Sequence, residues 1–263
     1  MNRIALLPDH PRPLLFAHRG CSSLAPENTM AAFKTARELH IPGIELDTHV
    51  CASGELIVAH DDTFERTAGD PRIVEQLTLD EIRSIDVGSF FAPAFKNERV
   101  PLLKDVLEEF CPAMYIDIEM KTRKIRNDPL PGLLANLLKT MGDRVTNSVT
   151  VSSFNPMAIR AFRGMRTGIP TAVIWGDDKG VPPLLRHGEG RWIAGCDYLK
   201  PQYAQVSRFS RFWLSKLGRR PMAAWTVDDP SVARKLAALG TEGIITNRPQ
   251  DMPAEWRLQG AGK

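Results

Sequence analysis

The stretch Gly43-Ile44-Glu45-Leu46-Asp47-Thr48-His49 alternates apolar and polar side chains, and this pattern predicts a β-strand. Successive side chains of a strand face opposite ways, so Glu45 and Asp47 share one face while Ile44 and Leu46 share the other. Two carboxylates crowded into one small volume repel each other unless a cation or a shared proton relieves the charge. The pair therefore indicates a divalent-metal site. Taken alone, it fits a solvated edge strand with two surface acids equally well.

The length and composition of the chain set broad limits on its fold. A chain of 263 residues fits one large domain, and single-domain α/β barrels often have this length. The hydrophobic fraction of 43% and the charged fraction of 25% are those of an ordinary soluble globular protein. No apolar run approaches the roughly 18 residues that a membrane span requires. We therefore expect one domain over residues 1–263 and no transmembrane segment.

The N-terminus, the cysteines and the net charge bear on location and partners. The apolar run at residues 4–7 is too short for a secretory signal, which predicts a cytoplasmic protein. The four cysteines are widely spaced and form no C-x-x-C pair, so we expect free thiols rather than a zinc site or a disulfide framework. A formal charge of +3 is weak evidence for nucleic-acid binding, and we expect no nucleic-acid partner.

Alternating strand and helix patterns run through most of the chain. The principal strands are predicted to begin near residues 14, 44, 114, 149, 171, 198, 222 and 243, and nearly all are followed by helices. Eight such units predict an α/β fold of the TIM (β/α)8 barrel type, with an open doubly wound sheet as the alternative. The alternation lapses at about residues 61–101, which indicates a small insertion after the second barrel strand.

Capping residues and composition place several of the helices. Asn28 is predicted to cap the first helix, Thr78 and Glu81 have the spacing of a capping box, and Asn155 precedes a proline at the start of another helix. Later in the chain we expect a short helix at 183–187, a helix at 209–217 and a strand at 222–227.

The positions of the polar residues favour the closed barrel. Charged and aromatic side chains fall at the C-terminal ends of different predicted strands, where the strands of a barrel converge on one mouth. An open sheet would spread these side chains along an edge. They are His18, Arg19, Glu45, Asp47, Glu119, Lys121, Trp175, Lys200, Trp225 and Thr246.

The third barrel strand supplies a further acid to the predicted metal site. In the stretch 115–121, period two places Asp117, Glu119 and Lys121 on the inward face. Glu119 then joins Glu45 and Asp47 in an oxygen site of three carboxylates. Such a site suits Mg²⁺ or Ca²⁺ better than a soft transition metal.

Cations and histidines beside this site suggest phosphoryl chemistry. Arg19 and Lys121 provide fixed positive charge that can bind a phosphate bridging the metal. Phosphodiester cleavage also requires an activated attacking oxygen and a protonated leaving oxygen. His18 and His60 lie at the ends of neighbouring strands and can meet these two needs. A lone histidine is more often structural, but two of them beside a metal and two cations favour catalysis.

An ordered series of motifs resembles the glycerophosphodiester phosphodiesterase family. Each motif alone is weak, but the ordered set is specific and covers residues 14–249. The motifs are His18-Arg19-Gly20, Pro26-Glu27-Asn28-Thr29, Glu45-x-Asp47, His60-Asp61, Glu119-x-Lys121, Trp225-Thr226-Val227 and Ile244-Ile245-Thr246-Asn247-Arg248-Pro249.

The resemblance implies a TIM barrel that hydrolyses glycerophosphodiesters to an alcohol and sn-glycerol 3-phosphate. It implies one divalent cation, Mg²⁺ or Ca²⁺ with Mn²⁺ as a further candidate. By position in the motifs, Glu45, Asp47 and Glu119 would be metal ligands, Arg19 and Lys121 would bind phosphate, and His18 and His60 would be the acid and base. Trp225 would form a wall against the glycerol or head group, although an inward Trp also fills barrels.

Two departures from the family pattern concern the site. Asp117 stands where the family often has an amide, which adds negative charge below the metal. Cys21 follows the first motif, but it lacks a partner for a nucleophilic role, so we expect it to pack. Glu27 and Asn28 are expected to orient the first turn by hydrogen bonds, and Glu27 is also a candidate for a place next to the metal ligands.

Several alternatives stay open at this stage. A close variant of the activity is a lysophospholipase D, which would need an apolar entrance to the site. Two further hypotheses, a barrel that binds without turnover and a phosphoinositide-cleaving barrel, fit the complete acidic and histidine set less well. The head group, the role of each histidine, the choice of water or the glycerol 2-hydroxyl as first nucleophile, and the oligomeric state are not indicated by the sequence.

Overall fold

The computed structural model describes residues 13–177, 181–216 and 220–258. The apolar run at residues 4–7, on which the cytoplasmic prediction partly rests, lies outside this range. Among the described helices, none combines the length and apolar character that crossing a membrane requires.

Eight parallel strands form a nearly closed barrel, which confirms the predicted TIM-barrel fold. The sheet runs in chain order from the first strand to the sixth, and the eighth strand pairs with both the first and the seventh. Single bridges from Leu199 to Met222 and from Gln202 to Trp225 join the sixth strand to the seventh. The barrel strands are Leu14–His18, Gly43–Val50, Tyr115–Met120, Val149–Ser153, Thr171–Trp175, Tyr198–Pro201, Ala223–Ala224 and Gly243–Thr246.

Helices follow the strands and cover the outside of the barrel. Their buried stripes and the outward faces of the strands form one continuous apolar layer. The principal helices are Met30–Glu38, Leu103–Phe110, Leu130–Met141, Pro156–Gly164, Gly190–Ala194 and Pro230–Ala238. Shorter helical turns are Asp143–Thr146, Pro183–Leu185, Tyr203–Gln205, Arg208–Ser210, Arg211–Lys216, Pro249–Asp251 and Ala254–Trp256.

The interior of the barrel changes from apolar to charged along its axis. Near the N-terminal ends of the strands, a small apolar cluster fills the interior; it consists of Leu14, Phe16, Ala172, Tyr198, Ala223 and Ile245. Gly43 leaves room for this filling, because a Cβ at that position would lie 2.6 Å from the Phe16 ring. One layer higher on the same strands, the inward positions are His18 and Glu45, which are paired in register. The polar layer at the mouth therefore lies directly above an apolar layer of side chains.

The segment after the second barrel strand contains small elements of its own. Leu56–Val58 pairs antiparallel with the end of that strand, and Thr63–Phe64 and Asp70–Ile73 form a separate two-stranded sheet. The helical segments are Glu65–Ala68, Val74–Gln76, Leu79–Ser84 and Pro93–Phe95. The predicted capping box at Thr78 and Glu81 is present. A second apolar core, centred on Val74 and Ile82, lies under these elements.

Several local predictions were wrong or incomplete. Thr29, not Asn28, caps the first helix, because Asn28 has a φ of 56° and turns its amide towards Asp47. The helix predicted at 209–217 is divided into Arg208–Ser210 and a wider π-helical turn, Arg211–Lys216, and residue 217 is outside the described range.

Two further differences affect the last third of the barrel. The predicted strand at 222–227 is regular only at Ala223–Ala224, because its pairing with the sixth strand is reduced to the two bridges. Gly190–Ala194 forms a helix that was not predicted, since glycines at 188, 190 and 195 suggested a loop. The short helix predicted at 183–187 is present as Pro183–Leu185.

Candidate active site

Three carboxylates from two neighbouring strands converge at the mouth of the barrel. Glu45 and Asp47 lie on the second strand and Glu119 on the third, with Asp47 and Glu119 paired in register. One oxygen from each of the three lies within 4.8 Å of the others, and all three side chains are buried. The two-residue alternation of strands brings these acids together, as the sequence predicted.

Two cations lie against the acidic cluster. The Nζ of Lys121 donates to Glu119 Oε1 at 2.9 Å and is 3.6 Å from Asp47 Oδ1. The Nε of Arg19 is 3.4 Å from Asp47 Oδ2, and the Arg19 backbone N–H donates to Glu45. Positive charge therefore lies beside the carboxylates, where a bound phosphate could reach both cations.

A chain of hydrogen bonds fixes the orientation of His18. Asp228 accepts both the backbone N–H and the side-chain amide N–H of Asn247, each at 2.8 Å. The amide oxygen of Asn247 therefore faces His18 Nδ1, which is 2.7 Å away and must donate. In a neutral His18 this leaves Nε2 with its lone pair, 3.8 Å from Glu45 Oε2. Burial and the neighbouring Arg19 lower the pKa of His18 to about 4, which favours this neutral form.

A second chain of contacts holds His60 and reaches the insertion. The Nδ1 of His60 is 2.6 Å from Asp61 Oδ1, and Arg66 Nε donates to Asp61 Oδ2 at 2.7 Å. Arg66 also donates from both terminal nitrogens to Glu27, each at 2.7 Å. Glu27 in turn accepts from Arg19 at 2.9 Å. One arginine of the insertion therefore connects the carboxylates that hold His60 and Arg19.

One cavity of about 810 Å³ lies at the mouth, and Glu45 and Glu119 of the acidic cluster line it. His18, His60, Arg19 and Lys121 form its charged side. Trp225 also faces the cavity, where its indole packs edge-on against Phe154 with ring centroids 5.3 Å apart. The opposite side is mostly apolar and includes Ile125, Pro156, Met157, Ile174, Val181, Pro182, Leu185 and Ile193.

The arrangement matches a known family of enzymes. A family model described as the glycerophosphoryl diester phosphodiesterase family matches residues 18–251. The chain belongs to this family. The match confirms the resemblance drawn from the motifs, and the protein is accordingly an enzyme of the glycerophosphodiester phosphodiesterase class.

Named relatives agree with the family assignment. A glycerophosphodiester phosphodiesterase of Caldanaerobacter subterraneus subsp. tengcongensis is 32% identical over 92% of this chain and 96% of its own. A solved glycerophosphodiester phosphodiesterase from Agrobacterium tumefaciens is 26% identical, with a TM-score of 0.74, and the similarity covers 89% of this chain and 96% of that one.

A second solved structure shares the fold at lower identity. It is a phosphodiesterase from Oleispira antarctica in complex with the product sn-glycerol 3-phosphate. The TM-score is 0.81 at 23% identity, and the similarity covers 93% of this chain and 96% of that one.

The acidic cluster of this family member has the features expected of a metal site. Among the described residues, Asp47 Oδ1 is a buried side-chain oxygen that accepts no hydrogen bond. Lys121 and Arg19 outweigh the effect of burial and lower the pKa of Asp47, so its carboxylate stays charged. Burial and the adjacent Asp47 raise the pKa of Glu45 well above its ordinary value. An unshared buried oxygen and mutually repelling carboxylates fit a hard divalent cation.

The sequence did not predict the residues that orient the histidines. Asn247 is 229 positions from His18, and Arg66 lies in the insertion, so neither contact follows from local pattern. The only available signals were Asn247 within a family motif and Arg66 five residues after Asp61. Glu27 orients the first turn as predicted, because it accepts a hydrogen bond from Arg19, and it also accepts from Arg66.

Lys200 was predicted to lie at the mouth, and it does line the cavity. Its side chain is almost fully buried, however. Its Nζ contacts Asp117 at 2.8 Å and Ser152 at 2.9 Å. The extra negative charge of Asp117 is therefore paired.

Proposed function

We propose that this enzyme hydrolyses glycerophosphodiesters to an alcohol and sn-glycerol 3-phosphate and requires one divalent cation. The observation that carries the proposal is one cavity lined by Glu45, Glu119, two cations and two oriented histidines, with Asp47 buried beside the two acids. Family membership supports the reaction class, and the Oleispira antarctica structure holds the same product.

Glu45, Asp47 and Glu119 would hold the cation, and their oxygen donors favour Mg²⁺ or Ca²⁺, with Mn²⁺ also suitable. When bound, such a cation neutralises charge on the phosphate oxygens. Arg19 and Lys121 bind and orient the remaining phosphate oxygens. A phosphate bound there would lie in the cavity that both His18 and His60 line.

The hydrogen bonds suggest a role for each histidine. His18 Nε2 carries the free lone pair, so we assign His18 as the base that takes the proton of the attacking hydroxyl. Asp61 lies 2.6 Å from His60 Nδ1 and orients the ring so that the other ring nitrogen is left for the substrate, so we assign His60 as the acid. When water attacks, its hydroxyl adds to phosphorus, the bond from phosphorus to the alcohol oxygen breaks, and His60 protonates that oxygen. If the glycerol 2-hydroxyl attacks instead, the same alcohol leaves and a cyclic glycerol phosphate forms, and water then opens this ring to give glycerol 3-phosphate.

The apolar side of the cavity favours a second candidate, hydrolysis of lysophospholipids by a lysophospholipase D reaction. Ile125 and Ile193 line the cavity and are also exposed, at 70% and 40%. They would cover an acyl chain that leaves the polar site, whereas a small water-soluble diester has no need of such a surface.

The first experiment measures glycerol 3-phosphate released from glycerophosphocholine, with chelator and then with Mg²⁺, Mn²⁺ or Ca²⁺ added. We expect release only with metal, and its loss in Glu45→Ala. His18→Ala should fold normally and lose activity by about 10² to 10⁴-fold. Ordinary activity of His18→Ala would contradict the mechanism.

The same assay with lysophosphatidylcholine separates the two candidates. Ile193→Asn should slow hydrolysis of the lysophospholipid and leave glycerophosphocholine hydrolysis unchanged if the apolar side holds an acyl chain. Equal rates of the variant and the parent enzyme on both substrates would favour the small diesters.

We also propose that residues 1–263 form one phosphodiesterase domain with an insertion at about 61–101. The second apolar core under that segment supports this division. A cytoplasmic location remains a prediction; the four cysteines are free and buried, as expected in a reducing compartment. Recovery of the enzyme in the cytosolic fraction of its host would test the location.

A further inference from the structure

A buried ion pair lies directly beneath the proposed metal ligands. We infer that Asp117 is a positioning residue that holds Lys200 away from Glu45, so that Glu45 stays available to the metal. This inference rests on the metal site in the proposed function and adds a residue to it.

The contacts of Lys200 place it between two acids at unequal distances. Its Nζ is 2.8 Å from Asp117 Oδ2 but 3.8 Å from Glu45 Oε1. All three side chains are at least 98% buried, so water does not screen the charges. Lys200 therefore forms a direct hydrogen-bonded pair with Asp117 and acts on Glu45 only through its charge.

The partners of Asp117 explain why the pair keeps this geometry. The hydroxyl of Ser152 donates to Asp117 Oδ1 at 2.9 Å and accepts from Lys200 at 2.9 Å. The hydroxyl of Tyr198 donates to the same Asp117 oxygen at 3.2 Å. Asp117 thus accepts hydrogen bonds from residues on two other strands. Because the polar atoms of this buried charge pair have hydrogen-bond partners, we expect the pair to be rigid.

The positive charge of Lys200 determines which carboxylate it pairs with when Asp117 is replaced by a neutral residue. The Nζ of Lys200 lies 2.8 Å from Asp117 Oδ2 and donates to Ser152 at 2.9 Å, contacts that suit an ammonium group. If Asp117 loses its charge, the nearest described carboxylate is that of Glu45. The ammonium group then pairs with the oxygens that the metal requires and also repels the metal itself.

The test is a double-mutant cycle in which Mn²⁺ affinity is measured by titration calorimetry on the full chain. Asp117→Asn should weaken Mn²⁺ binding by about tenfold or more. Lys200→Met should not weaken it, because the repelling cation is gone. The double variant should return to within about threefold of the parent affinity, which a merely structural pair would not produce.

Two further variants make the test specific. Asp197→Asn removes the same charge from an acid that pairs with Arg163 on the outside of the barrel, and it should leave Mn²⁺ affinity unchanged. Ser152→Ala removes one acceptor of Lys200 without changing charge, so it should weaken binding by about threefold. Ser152→Ala therefore tests the inference even if Asp117→Asn fails to fold.

The outcomes separate this inference from the proposed function. If the parent enzyme does not bind Mn²⁺, the metal site itself is wrong and the inference falls with it. If the parent enzyme binds Mn²⁺ but a folded Asp117→Asn, or Ser152→Ala, binds it equally well, only the role of Asp117 is overturned. A double variant as weak as Asp117→Asn would also overturn it, because Lys200 would then not be the cause.

Discussion

His18 owes its orientation to two neighbours, Asn247 and Asp228, that belong neither to the proposed metal ligands nor to the proposed phosphate-binding cations. Asp228 orients the Asn247 amide, and that amide selects the proton position on the imidazole ring. The hydrogen bond between Asn247 and Nδ1 therefore determines which ring nitrogen of His18 faces the cavity. A base that must accept a proton gains from such fixed orientation, because little rearrangement is left for the reaction itself.

We predict that Asn247→Ala lowers kcat by about 10 to 100-fold with a smaller change in KM. The reason is that His18 loses its only described side-chain acceptor at Nδ1 and can rotate or change tautomer. Steady-state kinetics on glycerophosphocholine measures the effect. Ser22→Ala is the control, since Ser22 donates to the same Asn247 oxygen without touching His18. Equal losses in both variants would contradict the orienting role.

Cys21 follows the His-Arg-Gly turn but is fully buried. Burial raises the pKa of its thiol to about 12, so almost no thiolate forms near neutral pH. We predict that the folded enzyme reacts slowly with a disulfide reagent such as DTNB at pH 8 and rapidly once denatured. Rapid modification of the native protein at Cys21, located by mass spectrometry, would contradict the packing role.

The small helix Glu65–Ala68 is the element through which the insertion reaches the site. Its Arg66 binds Glu27 with two nitrogens and Asp61 with a third, all at 2.7 Å. Planar, multidentate contacts of this kind hold carboxylates more firmly than single surface ion pairs. The segment that carries Arg66 therefore supports Arg19 and His60 through Glu27 and Asp61.

We predict that Arg66→Ala lowers kcat/KM by about tenfold, because Asp61 and Glu27 lose their common partner. Arg72→Ala is a matched control. Arg72 lies in the same insertion, is similarly exposed and pairs with Asp70, far from either histidine in the hydrogen-bond network. If both variants keep full activity, the bridge through Arg66 has no catalytic role.

The elements show what a sequence can and cannot predict here. Glu45, Asp47 and Glu119 were predictable because strand alternation is local and parallel strands end at one face. The partner of Lys200 was not predictable. Strand alternation places its side chain inward but does not determine which acid that long side chain reaches. The Asn28 cap failed for a similar reason: a distant strand competes for its amide. Contacts across the barrel decide such cases.

At the scale of the whole molecule, the barrel places several buried like charges in one mouth. Glu45, Asp47 and Glu119 repel one another without a cation, so the metal should contribute to stability as well as to turnover. Binding to the folded state alone stabilises it by about 2.7 kcal/mol when the free metal is at 100 times its Kd.

We predict that saturating Mg²⁺ or Mn²⁺ raises the Tm by roughly 5 to 10 °C over the chelated enzyme, since about 1 kcal/mol shifts the Tm of a domain this large by roughly 2 to 4 °C. Thermal unfolding followed by circular dichroism measures the shift. Glu45→Ala should unfold at the same temperature with metal and with chelator. A metal-induced shift that persists in this variant would place the stabilising cation elsewhere.

The apolar core beneath the segment that carries Arg66 is separate from the core of the barrel, so we expect this segment to open independently. Core packing of this kind allows one unit to open while the other stays folded, and amide hydrogen exchange reports each opening separately. The helix Leu79–Ser84 should then lose protection well before the central strand Tyr115–Met120. In each such opening, His60 and Arg19 would lose the contacts that Arg66 makes with their partners Asp61 and Glu27. The rate of this local unfolding therefore sets an upper limit on how long the active site stays assembled.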